Sequence, residues 1–114
     1  MAGYLTTHVL DTAKGVPAAG LKIELFVVVE GRREQRAELT TNADGRTDRP
    51  ILPEPAFAQG DYELVFYAGD YLRSTGQPDG FLDVIPIRFS ISEASHYHVP
   101  LLLSPFGYST YRGS

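Results

Sequence analysis

Apolar and polar residues alternate with period two along most of this chain, the pattern of half-buried strands. Leu5, Thr7 and Val9 alternate with Thr6, His8 and Leu10, which predicts a first strand with His8 on the face opposite Leu5 and Val9. Lys14-Gly15-Val16-Pro17 reads as a turn. Leu21, Ile23, Leu25, Val27 and Val29 then share one face of a long strand, with Lys22, Glu24 and Glu30 on the other, and Gly31 stops it. Arg32 to Thr41 suits an antiparallel return strand, completing a hairpin. Asn42-Ala43-Asp44-Gly45 is a turn, since Asn, Asp and Gly take the required backbone angles at little cost.

The prolines of 50–55 predict a loop or a short edge, because proline donates no ladder hydrogen bond. Tyr62, Leu64 and Phe66 alternate with Glu63, Val65 and Tyr67 in another strand. Residues 69–77 are the one helical candidate, closed by Gly76 and Pro78. Ile85, Ile87, Phe89 and Ile91 mark a further buried face, and Tyr97, Val99, Leu101 and Leu103 the next, leaving His96, His98, Pro100 and Leu102 outward. After a turn at 104–107, Tyr108 to Arg112 reads as the terminal strand. Seven or eight short strands with Gly/Pro turns predict an all-β sandwich. At 114 residues the chain is expected to be one domain, 1–114.

The outward faces are unusual, since Leu10, Pro100 and Leu102 share them with His8 and His98. Apolar residues on both sides of a strand call for a second cover, and in a chain this short another subunit supplies it. A formal charge of −4 leaves no basic face for nucleic acid. No cysteine is present, which removes disulfides and thiol nucleophiles. The amino terminus has neither a basic nor an apolar leader region and no run is long enough to span a bilayer, so a cytoplasmic protein is expected.

Candidate chemistry gathers at the end of the chain. Tyr111-Arg112-Gly113-Ser114 follows an apolar, β-prone approach, which predicts that the terminal strand is packed and that the α-carboxylate of Ser114 is held in place. The alternative is a frayed tail after a strand ending near Thr110. Histidine with a pKa of ~6.5 takes a proton from water and returns it to a leaving nitrogen, and arginine offers a planar fork to carbonyl or anionic oxygens. Two histidines, an arginine and a carboxylate on one surface suit acid/base chemistry on a small polar substrate. No Gly-x-Ser-x-Gly or Gly-rich phosphate loop occurs, which favours attack by an activated water. His96 and His98 with His8 also have the spacing of a three-nitrogen zinc site, but no fourth ligand stands out and solvent exposure is the simpler account of His96.

Three segments carry a resemblance that runs nearly end to end: 6–18, Thr41-Asn42-Ala43-Asp44-Gly45-Arg46, and 96–114 with its terminal Tyr-Arg-Gly-Ser. They resemble the 5-hydroxyisourate hydrolases, the transthyretin-related enzymes of urate breakdown. The hormone-carrying transthyretins share the sandwich but lack this ending and the two histidines. The resemblance implies a transthyretin-like sandwich of two four-stranded antiparallel sheets with one short helix, assembled as a homotetramer with active sites at the mouths of a central channel. It implies hydrolytic opening of 5-hydroxyisourate without cofactor or metal. It assigns catalysis to His8, Arg46, His98 and Ser114 and substrate binding to Tyr111, Arg112 and Gly113. Arg46 is a turn residue by composition alone and enters only through the resemblance. A carrier of small aromatic ligands, a structural interaction domain and a zinc hydrolase are the competing readings.

Overall fold

The period-two runs become strands in the computed structural model, which describes residues 3–113. In chain order these are β1 (Tyr4–Thr6), β2 (Val9–Asp11), β3 (Val16–Pro17), β4 (Lys22–Val29), β5 (Arg32–Thr40), β6 (Gly60–Tyr67), the helix α1 (Ala68–Ser74), β7 (Val84–Ile91), β8 (His96–His98), β9 (Leu101–Ser104) and β10 (Gly107–Thr110). One four-stranded sheet runs β5-β4-β6-β7 and the other β10-β9-β2-β3, with β1 and β8 as a separate pair. Leu5, Val9, Leu21, Ile23, Leu25, Leu64, Phe66, Ile85, Leu101 and Leu103 fill the space between them. The expected sandwich of four-stranded sheets is therefore present.

Its first sheet is antiparallel throughout. The β4–β5 hairpin turns on Glu30 (φ 50°) and Gly31 (φ 76°), the paired positive angles of a tight two-residue loop. The second sheet departs from the expected antiparallel arrangement, because β2 and β9 pair parallel, as do β1 and β8. The whole first sheet and the helix lie between these partners in sequence, a connection long enough for parallel pairing.

The two long strands expected at 5–10 and 97–103 are each broken, at Thr7-His8 and at Val99-Pro100. Proline has no N–H for the ladder. Val99 N–H donates to Thr6 O and Leu101 N–H to His8 O on either side of the gap, while the Thr7 hydroxyl donates to the Val99 carbonyl oxygen at 2.6 Å. Thr6 faces His98 and Val9 faces Leu101, so the register survives the interruption. Pro100, expected outward, is buried at this break. His8, His96 and His98 remain half-buried on the outer side, as the alternation required.

The helix falls where expected and ends in a glycine-closed cap. Gly76 (φ 71°) N–H donates to Arg73 O and Gln77 N–H to Leu72 O. Beneath it the Asp11 carboxylate is 1% exposed and fully engaged, receiving Lys14 N–H on one oxygen and Tyr71 Oη–H and the Gln77 amide on the other. The terminal strand stops at Thr110, as the frayed alternative had it, but the chain does not leave the body. Gly113 bridges back to His98.

Candidate active site

The parallel β1–β8 pair sets Tyr4 opposite His96 and Thr6 opposite His98, so these four side chains share the outer face. Thr6 Oγ1 lies 2.6 Å from His96 Nε2 and 2.8 Å from His98 Nδ1. The His96 ring is stacked on Tyr4, with 4.1 Å between centroids and 9° between planes. One threonine hydroxyl thus ties two imidazoles together at the edge of the sheet.

The turn at 42–45 brings the arginine to the same place. Gly45 (φ 75°) carries a conformation that costs other residues energy, and a Cβ there would collide with the Val9 carbonyl oxygen. Val9 N–H donates to Gly45 O at 2.8 Å, which pins the turn to β2. Asn42 Oδ1 receives the backbone N–H of Asp44 and Arg46, fixing the loop from inside. His8 Nε2 lies 2.8 Å from the Asp44 carbonyl oxygen. A carbonyl only accepts, so Nε2 carries the proton and the lone pair of neutral His8 is on Nδ1.

Between β1, β8 and this turn lies a cleft of about 410 Å³, lined by Thr6, Arg46, Asp48, Arg49, His96 and His98 among others. His98 is held below the ordinary histidine value of 6.5, first by burial and then by the charges of His96, Arg46 and His8. It is consequently neutral at neutral pH. With Nδ1 bound to Thr6, its Nε2 has no protein hydrogen bond among the described residues. A neutral imidazole with an open nitrogen beside a guanidinium can deprotonate a water while the arginine binds the oxygen that gains charge.

The terminal segment reaches His98 through its backbone. Gly113 N–H donates to His98 O at 2.7 Å, and a Cβ on Gly113 would stand 2.8 Å from His98 Cδ2. Tyr111 and Arg112 do not line the histidine cleft in a single chain. Arg112 lies over the Tyr97 ring at 4.1 Å and donates to Ser95 Oγ, and both residues line a second cavity of about 270 Å³ against β7. Ser114 lies outside the described residues.

Thr6, Asp48 and Arg49 are among the members of the cleft that sequence reasoning passed over, and His96 is one that it weighed only as a zinc ligand. The His-x-His spacing was the available signal, because two histidines at period two share a face, but it pointed to zinc. Among the described residues no three His, Cys, Asp or Glu side chains are grouped to hold a metal. Thr6 gave no signal in one dimension, since its partners lie about ninety positions away. No helix among the described residues is long and apolar enough to cross a membrane.

The HIUase/Transthyretin family model matches residues 5–113. The chain is 59% identical to 5-hydroxyisourate hydrolase 2 of Rhizobium meliloti, over 99% of this chain and 98% of that one. Among solved structures, (S)-allantoin synthase superposes with a TM-score of 0.91 at 45% identity, covering 98% of this chain, which spans only 44% of that protein's length. Sea bream transthyretin in complex with thyroxine superposes with a TM-score of 0.88 at 29% identity, over 96% of this chain and 93% of that one. The match covers both sheets and all three histidines, and the chain belongs to the HIUase/Transthyretin family.

Proposed function

We infer that this chain is a 5-hydroxyisourate hydrolase, opening the lactam ring of its substrate to give 2-oxo-4-hydroxy-4-carboxy-5-ureidoimidazoline in urate breakdown. The observation that carries the reading is the meeting of Arg46 and His98 in one cleft, with His8 on the adjoining turn close enough for its charge to act on His98, in a chain 59% identical to a curated hydrolase of that name. His98 Nε2 takes a proton from water as the water oxygen bonds to the lactam carbonyl carbon. The carbonyl oxygen becomes an oxyanion, which Arg46 stabilises by ~3 kcal/mol if its donors are well aimed. The C–N bond then breaks, and the proton returns from His98 to the departing nitrogen. His8, with its Nδ1 lone pair, completes the proton transfers. No metal or cofactor enters these steps.

Tyr111, Arg112, Gly113 and Ser114 belong to the same proposal, as the segment that closes the site and holds substrate. The Gly113–His98 bridge supports it by fixing the tail against the base. A homotetramer completes the reading. Its support is the outer face of the second sheet, where Pro17, Leu10 and Leu102 lie side by side. The whole chain forms one transthyretin-like domain on this reading, working in the cytoplasm, where a protein without cysteine needs no oxidising environment.

The test follows the decay of freshly generated 5-hydroxyisourate by ultraviolet absorbance, with the full chain and with a version ending at Thr110. Fast decay with the first and background decay with the second, both folded and of equal oligomeric state, supports the hydrolase and the terminal segment's part in it. Acceleration by neither turns the reading to a ligand carrier.

A further inference from the structure

We propose that Thr6 and His96 form a proton relay behind His98, with Thr6 fixing the tautomer of the base and His96 holding its charge. The inference rests on the hydrolase reading above for the reaction served, and on the Thr6 geometry alone for the relay. Thr6 Oγ1 sits within hydrogen-bond distance of His96 Nε2 (2.6 Å) and His98 Nδ1 (2.8 Å), and a hydroxyl has one proton to give. It can donate to only one of these rings and must accept from the other.

The two polarities have different chemical consequences. If Thr6 donated to His98 Nδ1, neutral His98 would carry its proton on Nε2, the nitrogen free of protein partners, and no lone pair would face water. If His98 Nδ1–H donates to Thr6, and Thr6 donates to His96 Nε2, the His98 Nε2 lone pair is open. A working base at His98 therefore requires the second polarity, and His96 must then be the acceptor at the end of the chain, protonated on Nδ1 when neutral.

The balance follows directly. Water gives its proton to His98 Nε2 as its oxygen bonds to carbon. The Nδ1 proton of His98 passes to Thr6 Oγ1, and the Thr6 hydroxyl proton passes to His96 Nε2. Thr6 ends with the same number of protons, His98 is neutral, and the positive charge rests on His96. That ring is stacked face to face on Tyr4, a contact that favours a cation over an aromatic face. The charge thereby leaves His98, where burial and the neighbouring charges disfavour it. The steps reverse when the proton returns to the leaving nitrogen.

Thr6 and His96 are thus positioning residues, acting on the substrate only through His98. Replacing Thr6 by Val keeps the shape of the side chain and removes the relay, while Thr6→Ser restores the hydroxyl. Thr6→Val is expected to lower kcat by ~30-fold with KM within ~3-fold, the scale of a weakened general base. Thr6→Ser should recover most of it, and His96→Phe, which keeps a ring on Tyr4, should match Thr6→Val. The double variant Thr6→Val/His96→Phe should be no slower than either single variant, since both break one chain.

A second measurement does not depend on turnover. Nitrogen-15 spectra of the imidazoles should show neutral His98 protonated on Nδ1 and neutral His96 protonated on Nδ1, and Thr6→Val should mix the His98 tautomers while melting and the oligomeric state stay unchanged. Finding His98 protonated on Nε2, or equal activity in folded Thr6→Val and the parent, overturns the relay. Absence of 5-hydroxyisourate turnover in the parent, with the expected tautomers present, overturns the hydrolase reading and leaves the relay standing.

Discussion

The first strand line, β1 through β2, carries a polar cluster at each end, and the two clusters differ in whether their hydrogen-bonding capacity is used up. At the β2 end, Asp11 is buried and receives three donors, one from the local backbone and two from the helix region. Burial alone would raise its pKa, but the hydrogen bonds from Tyr71, Lys14 N–H and Gln77 outweigh it and hold the carboxyl below 3.8. At the β1 end, His98 is half-buried among like charges, has one nitrogen tied to Thr6, and is held below its ordinary value. Asp11 has its favourable charge state locked by donors, whereas His98 has its charge disfavoured and one ring nitrogen left without a protein partner among the described residues. A filled cluster fastens a helix to a sheet; an unfilled one beside a cleft can exchange protons with a substrate.

The contrast is broken most severely at the open end. His98→Asn keeps a polar side chain of similar reach but removes the proposed base, and kcat should fall by ~10²–10⁴-fold while the melting temperature holds. Steady-state kinetics on 5-hydroxyisourate, compared with His8→Asn, checks it. An unchanged rate in His98→Asn with loss in His8→Asn would exchange the two histidines' roles.

At the filled end the same kind of deletion should act on stability and leave catalysis alone. Tyr71→Phe removes one donor from the buried Asp11 carboxylate and should cost ~2 kcal/mol of unfolding free energy, the scale of a hydrogen bond to a charged group. Denaturant titration measures the loss, and kcat per folded molecule should match the parent. A third variant lies between them. Gly113→Ala sets a methyl 2.8 Å from His98 Cδ2, where ring or tail must shift, and should reduce kcat by ~10-fold with little change in stability.

How far these ends are legible in one dimension follows from the range of their interactions. Strand faces obey period two, so the inward series Leu5, Thr7 and Val9 and the outward His8 and His98 were readable, as were the turns at 42–45 and 104–107. The helix was readable because Gly76 ends it locally. Parallel pairing of β2 with β9 was not, because period two is the same in parallel and antiparallel strands. The burial of Pro100 and the break beside it depend on the facing Thr7-His8 step across the sheet. The Thr6 bridge between His96 and His98 likewise exists only once β1 and β8 are in register, so spacing alone suggested a metal site. The terminal segment was half legible: its anchoring at Gly113 follows from a packed approach, whereas the turn of Arg112 toward Tyr97 follows from an aromatic face that sequence order does not place there.

The smallest effect separates the two ends by pH. His98 has a folded-state pKa below 6.5, so the unfolded chain binds the proton more readily. The stability associated with neutral His98 is complete above 6.5 and is lost as pH falls from there through the folded value. Asp11 has a folded-state pKa below 3.8, so its contribution is complete above 3.8 and is lost only as pH falls through a more acidic range. The parent should therefore show a shallow decline in melting temperature beginning near 6.5 and a second, steeper one below 3.8. His98→Asn should remove the first and keep the second. The activity of the parent has the matching sign: the base must be neutral, so kcat/KM should stay level as pH falls to 6.5 and drop only below it. An acid limb centred above 6.5 would mean that the group controlling turnover is not a histidine whose charge burial disfavours.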